Sequence, residues 1–399
     1  MAPFQSRLEL ALGRVKESDS RKAMILHHDE ADGLASAALT KLAFEKLGLD
    51  TELVCLDKLY PEVIVSIERT PGQIVAYVDL GSGHIDMLGK SNRGKNIILV
   101  LDHHDTQPSS DPLIFNLNPE LDGFSGEKEA SSATVAYLFA KTVNPELQRY
   151  AHLALIGSLE IPGDTQGLSL LAAKDAEELH LVRKTEKGDY RIETEANSIS
   201  RTKAATVLNV LGSVGYYHDG PKTGVHACIH GFDLKTLKTA NELEGRRKEA
   251  NRRMLETIRN GGLFQMKMIQ WFHARDNYEG MSGKVVGSFC SYLRYQRGVN
   301  PVKYLVGMMN IPPEVPGWGR LPAALVKVSG RAPESLAAMI EKGTRPALSK
   351  ILPEACSLAA GFGDGHSVAA SGVFPIGGEE QFLHQLDRIA NLELPESGD

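Results

Sequence analysis

Acids and histidines that could bind metals or move protons directly follow apolar segments of this sequence. The apolar run at residues 98–101 leads straight into Asp102, His103 and His104. Another run ends in "HHDEADG" at residues 27–33, and "QIVAYVDLGSG" ends a third run with Asp79. Turns usually begin with Gly, Asn or Ser. The repeated pattern therefore predicts a chemical site rather than ordinary loops.

We predict a metal centre built from these residues. If residues 27–33 stay extended, alternate side chains face the same way, so that His28, Glu30 and Asp32 share one side. Carboxylate and imidazole ligands without thiolate favour manganese or magnesium over structural zinc. The number of ligands predicts two Mn²⁺ ions, with Mg²⁺ as an alternative. The complete predicted ligand set is His28, Glu30, Asp32, Asp79, Asp102, His103 and Asp164.

The two ions are assigned different ligands. His28 and Glu30 are predicted to hold one ion, and Asp32, His103 and Asp164 to hold the other. Asp164 lies in "IPGDTQG", which follows a helical segment and can reach the same edge.

Three further roles complete the predicted centre. Asp79 is expected to bridge the ions. Asp102 would either coordinate a metal ion or orient the metal ligands. His104 would contact the substrate phosphate or hold the neighbouring residue in place. Asp102, His103 and His104 are the predicted catalytic residues. Two ions that share a bridging carboxylate can generate hydroxide near neutral pH and stabilise an in-line displacement at phosphorus.

The elements that must position these residues indicate an α/β protein. Continuous apolar strands alternate with helical segments, which favours a parallel sheet covered on both faces. Ligands of such sheets bind beyond the carboxyl ends of the strands. We expect a catalytic domain at 1–200, a helical linker at 201–260 and a smaller α/β substrate-binding domain at 261–399. The last six residues are expected to fray.

Composition narrows the class of protein. The chain has 399 residues, 42% of them hydrophobic, and a formal net charge of −6. That charge argues against coating nucleic acid by bulk attraction. No apolar run is long enough to span a bilayer, and we expect a cytoplasmic protein without a membrane partner. The four cysteines have neither zinc-ligand nor redox spacing, so we interpret them as small buried residues.

Several motifs resemble one known family. "LDHHD", preceded by "HHDEADG" and "VDLGSG", resembles the DHH phosphoesterase family. "NPELDGFSGEKEASSATVAYLF" and "ALIGSLEIPGD" resemble its archaeal RecJ-like branch, whose helicase-associated nuclease is the nearest match. "VKVSGRA" and "DGHSVAASG" resemble substrate-binding motifs of the DHH-associated domain. The resemblance covers most of the chain. It implies an N-terminal parallel-sheet DHH domain, joined by a long helix to a smaller DHH-associated domain, with substrate bound between them.

The resemblance also suggests substrate-binding residues. Arg331 would grip phosphate through two hydrogen bonds. Gly363 and Gly365 would let a backbone anion nest approach phosphate. His366 would donate to phosphate or a terminal base, and His104 would assist from the metal centre.

Two departures from the family pattern affect the predicted site. Glu30 stands where the family usually has Asp, so either Glu30 or Asp29 is the metal ligand. Ser371 is inserted in the glycine-rich motif.

The resemblance implies an exonuclease of DNA replication or repair. It would hydrolyse single-stranded DNA or RNA to mononucleotides by a two-metal mechanism. The expected partners are single-stranded nucleic acid and a helicase or another replication or repair protein. Homo-oligomerisation, cleavage polarity and the choice of sugar stay open. The alternatives are a phosphoesterase for oligoribonucleotides, cyclic dinucleotides or nucleoside bisphosphates, and a catalytically weak replication scaffold.

Overall fold

A computed structural model describes residues 2–186, 188–193 and 198–391. Its internal contacts divide the chain into two units. The first comprises Met1–Leu243 and Val315–Gly319, and the second comprises Glu244–Glu314 and Arg320–Asp399. The end that we expected to fray, 394–399, lies outside the described residues.

The elements up to residue 261 alternate as the sequence pattern predicts. They are α1 (Ala2–Lys16), β1 (Lys22–His28), α2 (Ala31–Lys46), β2 (Asp50–Leu56), α3 (Pro61–Ile67), β3 (Ile74–Val78), α4 (Ile85–Asn92), β4 (Ile97–Leu101), β5 (Ile114–Asn116), α5 (Ser132–Val143), α6 (Ala151–Gly157), α7 (Gly167–Glu178), β6 (Val182–Lys184), β7 (Tyr190–Glu193), β8 (Ser198–Ser200), α8 (Arg201–Asn209), α9 (Gly220–His230) and α10 (Leu234–Gly261).

The first unit is built on a five-stranded parallel sheet in the order β2-β1-β3-β4-β5. Every residue of β3 and β4 is buried, as expected for strands covered on both faces. Helix α2 packs against α5 and α6 and is buried along most of its length. The parallel arrangement brings the carboxyl ends of β1, β3 and β4 to one edge. The predicted α/β class with an N-terminal parallel sheet is confirmed.

The second unit is smaller and its sheet is mixed. The elements after residue 261 are β9 (Phe264–Gln265), β10 (Ile269–His273), α11 (Lys284–Leu293), β11 (Tyr304–Ile311), β12 (Glu314–Val315), β13 (Gly319–Arg320), β14 (Leu325–Arg331), α12 (Glu334–Glu341), α13 (Leu348–Leu358), β15 (Phe362–His366), β16 (Ala369–Pro375) and α14 (Glu379–Ala390). Six strands pair in the order β15-β16-β14-β11-β10-β9. An apolar core that includes Val326, Leu352 and Phe382 lies against this sheet.

The long charged helix expected at about 235–260 is present as α10, whose basic and acidic side chains pair three or four residues apart. The division between units falls within α10, between Leu243 and Glu244, whereas we expected a separate linker at 201–260. None of the helices in the described residues combines the length and apolar character that a membrane span requires. All four cysteines are buried, and none forms a disulfide.

Candidate metal centre

Four side chains converge at the carboxyl edge of the parallel sheet. Potential ligand atoms of Asp32, Asp79, His103 and Glu160 all lie within 4.8 Å of one another. The Nε2 atom of His103 is 3.9 Å from Asp32 Oδ2, 3.9 Å from Asp79 Oδ1 and 3.1 Å from Glu160 Oε1. Three of the four residues are buried. Such a group of carboxylates around one imidazole can hold a divalent cation.

His103 is oriented by its own backbone surroundings. Its Nδ1 atom lies 2.8 Å from the carbonyl oxygen of Gly126. A Cβ on Gly126 would lie 1.8 Å from the backbone oxygen of His103, so this close approach requires glycine. The opposite nitrogen, Nε2, is buried and makes no hydrogen bond of ordinary geometry within the described residues. It lies beside the carboxylates, as expected of a metal-ligating histidine whose other nitrogen is fixed.

Asp79 follows β3 in a left-handed backbone conformation, with φ of 58°. This conformation is uncommon for residues other than glycine and is tolerated better by Asp and Asn. The Asp79 amide donates to Leu101 O at 3.0 Å, and its Oδ1 accepts a hydrogen bond from Ser132 Oγ at 2.9 Å. The other oxygen, Oδ2, lies 3.5 Å from His28 Nδ1. The turn therefore places one carboxylate between two histidines, which suits the predicted bridging role.

Asp102 is held by donors on several sides. Its Oδ2 accepts from the Ser82 amide at 2.9 Å, and its Oδ1 accepts from the His103 amide at 2.8 Å and from His104 Nδ1 at 2.7 Å. Burial alone would raise the pKa of Asp102, but the charge and hydrogen bond of His104 outweigh burial and hold that pKa well below its usual value. Asp102 thus orients the ring of His104 and holds the backbone of His103.

His104 has a different environment from His103. Its side chain is 52% exposed. The Asp102 carboxylate raises the pKa of His104 to about 9 although burial opposes this. Because Nδ1 is bound to Asp102, Nε2 is the ring nitrogen left to contact a ligand.

The prediction that residues 27–33 stay extended is wrong. Strand β1 ends at His28, and α2 begins at Ala31 with Glu30 as its N-cap residue. Asp32 therefore lies in the first turn of a helix, which presents its side chain by helical rather than strand geometry. A Cβ on Gly33 would lie 2.5 Å from His28 O, so glycine is required at this tight strand-to-helix turn.

The Asp32 carboxylate lies at the N-terminus of α5. Its Oδ2 accepts from the Ser132 amide and its Oδ1 from the Ala133 amide, each at 2.8 Å. Free amides at a helix N-terminus favour a negative charge. A Cβ on Gly157 would lie 2.0 Å from Asp32 Oδ1, so α6 approaches this carboxylate at a glycine. The carboxylate thus has a fixed position beside His103.

Ser132 connects three of the acids and was not predicted as a site residue. Its amide binds Asp32, and its hydroxyl lies 2.9 Å from Asp79 Oδ1 and 3.4 Å from Asp102 Oδ1. It is fully buried. The available signal was the pair Ser131-Ser132 before an apolar helical run, a pattern typical of helix N-caps. Ser131 is the N-cap, and its neighbour faces the acids.

Glu160 was also missed. It lies in a short 3₁₀ helix, Ser158–Glu160, directly after α6, and is the residue nearest to His103 Nε2 among the three acids of the group. The predicted ligand Asp164 is exposed and lines a separate cavity of about 210 Å³ with Lys128 and Arg201. It belongs to neither group of clustered potential ligands within the described residues. Its role as a ligand stays a prediction that this placement does not favour.

His28, Asp29 and Glu30 lie beside the group of four. His28 Nδ1 is 3.7 Å from Glu30 Oε2, and His28 Nε2 is 3.5 Å from Asp29 Oδ1. Asp29 is fully buried, whereas Glu30 is partly exposed. Both carboxylates thus remain within reach of His28, and the choice between them stays open.

The electrostatics of the group fit a cation. Burial, followed by the charges of Asp79 and Glu160, raises the pKa of Asp32 well above its usual value. Burial lowers the pKa of His103, but Glu160, Asp32 and Asp79 outweigh this and raise it well above normal. A positive charge among these closely spaced carboxylates would therefore stabilise their ionised forms. Oxygen and imidazole donors without thiolate suit Mn²⁺ or Mg²⁺.

The predicted substrate-binding residues lie in the second unit. Arg331, Ala369 and His366 occupy one row across β14, β16 and β15. Arg331 is held by Ser291 Oγ at 2.9 Å and Ser329 Oγ at 2.8 Å, whereas His366 is exposed at the end of β15. Arg331 and His366 thus lie at the same end of their strands, on either side of Ala369. We call this part of the mixed sheet its hairpin edge.

The glycine-rich segment forms a regular β-hairpin rather than an irregular loop, and its contact with phosphate stays a prediction. Gly363 pairs with Gly372, and Gly365 pairs with Ala370. A Cβ on Gly365, which has φ of 147°, would lie 2.4 Å from Ala370 Cα. The inserted Ser371 pairs in register with Asp364. These glycines serve close strand packing.

Comparison with known proteins agrees with this geometry. The family described as "DHH family, N-terminal domain" matches residues 22–158. This range includes Asp32, Asp79, Asp102, His103 and Ser132 and ends just before Glu160. Residues 22–158 form a DHH-family domain. The motif Asp102-His103-His104 of this DHH domain is thus at the carboxyl end of β4.

Relatives of known structure share the wider fold. RecJ from Thermus thermophilus, solved in complex with Mn²⁺, has a TM-score of 0.63 at 15% identity and covers 97% of this chain. CDC45 from Entamoeba histolytica has a TM-score of 0.57 at 13% identity and covers 98%. The fold beyond the DHH domain is therefore RecJ-like. An uncharacterized protein of Methanocaldococcus jannaschii is 27% identical over 171 residues, 40% of this chain.

Two of these proteins are longer than the region that matches, whereas this chain covers 99% of the Entamoeba CDC45 chain. The match covers 38% of the Methanocaldococcus protein, and this chain covers 54% of the Thermus RecJ chain. Three of the four clustered side chains, Asp32, Asp79 and His103, lie within the residues that match the DHH family.

Proposed function

We propose that this protein is a Mn²⁺- or Mg²⁺-dependent phosphodiesterase that hydrolyses single-stranded DNA or RNA to mononucleotides by a two-metal mechanism. The observation that carries the proposal is the group of Asp32, Asp79 and Glu160 around the buried Nε2 of His103. His28, with Asp29 or Glu30, would supply ligands for a second ion. Two ions there would polarise the phosphate and lower the pKa of water.

The other site residues would hold the metal ions, keep the site in place and bind the substrate. Asp79 lies between His28 and His103 and would be shared by both ions. Ser132 and Asp102 keep the acids and His104 in place before substrate arrives. Such preorganised geometry lowers the reorganisation that the reaction requires. His104 is more than half exposed and would contact the scissile phosphate. Arg331 and His366 would hold the terminal nucleotides.

The biological part of the proposal is a role in DNA replication or repair in the cytoplasm, beside a helicase or another replication protein. RecJ and CDC45 share the fold, which is compatible with this setting.

End-labelled single strands of DNA and RNA test the proposal. The full chain, incubated with Mn²⁺, should release labelled mononucleotides, and EDTA should stop the release. Cleavage of di- and trinucleotides that falls steeply with longer strands would instead support a small-substrate phosphoesterase. Absence of hydrolysis of every substrate over a wide range of Mn²⁺ concentrations would support a scaffold and end the proposal.

A pair of substitutions decides the ligand beside His28. If Glu30 binds metal, Glu30→Asp keeps or raises the rate and Glu30→Ala lowers it. Unchanged hydrolysis by Glu30→Ala together with loss in Asp29→Ala would assign the ligand to Asp29.

A further inference from the structure

Two tyrosine rings are exposed at the end of α11 in the second unit. Tyr292 is 49% exposed and Tyr295 is 65% exposed. Large aromatic side chains favour burial, and single exposed ones are ordinary. Two exposed rings three residues apart form a local feature that the proposed metal chemistry does not use.

The two rings share one side of a helical turn. The Tyr295 amide donates to Tyr292 O at 3.4 Å, and the Gln296 amide donates to Leu293 O at 2.8 Å, so the turn continues past the end of α11. Residues three apart on such a turn are neighbours. Successive bases of a single strand could therefore meet both rings.

Arg294 holds one ring in place. Its guanidinium carbon lies 4.6 Å from the centre of the Tyr295 ring, and it also donates to the Tyr295 hydroxyl. A further bond, at 3.5 Å, joins Arg294 to the Ala332 carbonyl. This anchoring reduces the side-chain entropy that Tyr295 would lose when a base stacks on it.

Two basic residues, Arg294 and Arg297, lie in the same short segment as the two tyrosines. Arg297 is exposed and has no ion pair among the described residues. A phosphate backbone would complement this charge.

The tyrosine turn also adjoins the row of predicted substrate-binding residues. Arg331 at the end of β14 donates to Ser291 Oγ, the residue directly before Tyr292. A strand that reached Arg331 would therefore be close to the exposed rings.

We propose that Tyr292 and Tyr295 stack successive bases of single-stranded nucleic acid, with Arg297 on its backbone. This inference rests on the proposed function and specifies its substrate as a polymer. Exposed aromatic rings beside basic side chains bind single strands in this way because every base offers a flat face. An acidic protein segment would need only the charge and not the rings.

Binding of a fluorescein-labelled (dT)20 strand to the full chain, measured by anisotropy in EDTA, tests the surface without hydrolysis. Tyr292→Ala/Tyr295→Ala should weaken binding by about 10-fold or more, and the double Phe variant should retain most of the affinity. The matched control is Phe264→Ala, which removes another exposed ring, 62% exposed and stacked on Trp271, from the same unit. This control should bind like the unmodified chain.

Arg297→Glu provides a second variant that changes no aromatic ring. It should weaken binding and reduce its dependence on salt. Equal binding by the unmodified chain and the double Ala variant would overturn the proposal. If poly-glutamate also displaced the equally bound strand from both proteins, charge alone would account for the binding and the surface would fit an acidic protein segment.

Hydrolysis of the chromogenic diester bis(p-nitrophenyl) phosphate by the unmodified chain with Mn²⁺ separates the two proposals. Tyrosine-dependent strand binding without ester hydrolysis would reject the phosphodiesterase and keep the stacking surface. Hydrolysis without tyrosine-dependent binding would do the reverse.

Discussion

The carboxyl edge of the parallel sheet and the hairpin edge of the mixed sheet present polar groups in opposite ways. Asp32, Asp79 and Asp102 are buried and accept hydrogen bonds from amides and from Ser132. In the second unit, His366, Tyr292 and Tyr295 are exposed. Burial fixes geometry and strengthens electrostatic interactions, whereas exposure leaves groups accessible to a large ligand. The difference suggests chemistry at the first edge and substrate holding at the second.

The strongest test of this division is Asp79→Asn. Asn tolerates the left-handed backbone better than Ala does, so this change removes charge with little added strain. We expect hydrolysis to fall by about 10³-fold, on the scale of losing a group that acts in the transition state. Initial rates in saturating Mn²⁺ measure the effect. Asp86→Asn, an exposed acid of α4, is the control, and both variants should keep the thermal midpoint of the unmodified chain.

Glu160→Gln and Asp164→Asn compare two acids that are close in sequence but differently placed. We expect the first to lower the rate by about 10²-fold, as for other groups beside the reacting atoms, and the second to change it less than about 3-fold. Rates measured across a Mn²⁺ titration distinguish weaker metal binding from slower chemistry. A greater loss in Asp164→Asn would restore the ligand that we predicted from sequence.

Ser132→Ala tests whether the hydroxyl organises the buried edge. Loss of a group that orients metal ligands typically weakens metal binding by about 10- to 100-fold, and we expect a reduction in this range. Mn²⁺ binding measured by electron paramagnetic resonance reports it independently of hydrolysis.

The adjacent Ser131 provides the control for Ser132. Its Oγ accepts from the Thr134 amide at 3.2 Å as the N-cap of α5. Ser131→Ala should lower the free energy of unfolding by about 1 kcal/mol while Mn²⁺ affinity stays the same. Equal Mn²⁺ affinity in both variants would contradict the organising role of Ser132.

The smallest effect on hydrolysis is expected from a substitution at the hairpin edge of the mixed sheet. His366→Ala should raise KM for single strands by about 10-fold, the loss of one charge-assisted hydrogen bond, with little change in kcat. Steady-state kinetics on strands of fixed length measure both constants. A fall in kcat with KM unchanged would place His366 in the chemistry and remove the contrast between the edges.

The local sequence pattern was sufficient to predict those features that neighbouring residues along the chain determine. The apolar runs of β1, β3 and β4 and the polar groups that end them predicted a parallel sheet with Asp79 and His103 at its carboxyl edge. Parallel strands must align these ends, so the convergence follows from topology. The same reasoning could not place Asp32, because the start of α2 depends on a glycine turn against His28.

Contacts between distant segments required the tertiary structure. Glu160 reaches His103 only because α6 packs beside α2 and α5, and Ser132 meets three acids because the N-terminus of α5 lies against Asp32. In the second unit, the glycines pair as strands because Ala369–Pro375 returns beside them.

The sequence by itself determined the α/β class, the apolar strands and the residue types available for a metal. Periodicity and composition act over short distances, so these features could be predicted from neighbouring residues. The tertiary structure decided which acids surround His103 and which side chains stay exposed. Those outcomes depend on packing between distant segments, such as Asp32 and Ser132, which are 100 residues apart, and no local pattern encodes such contacts.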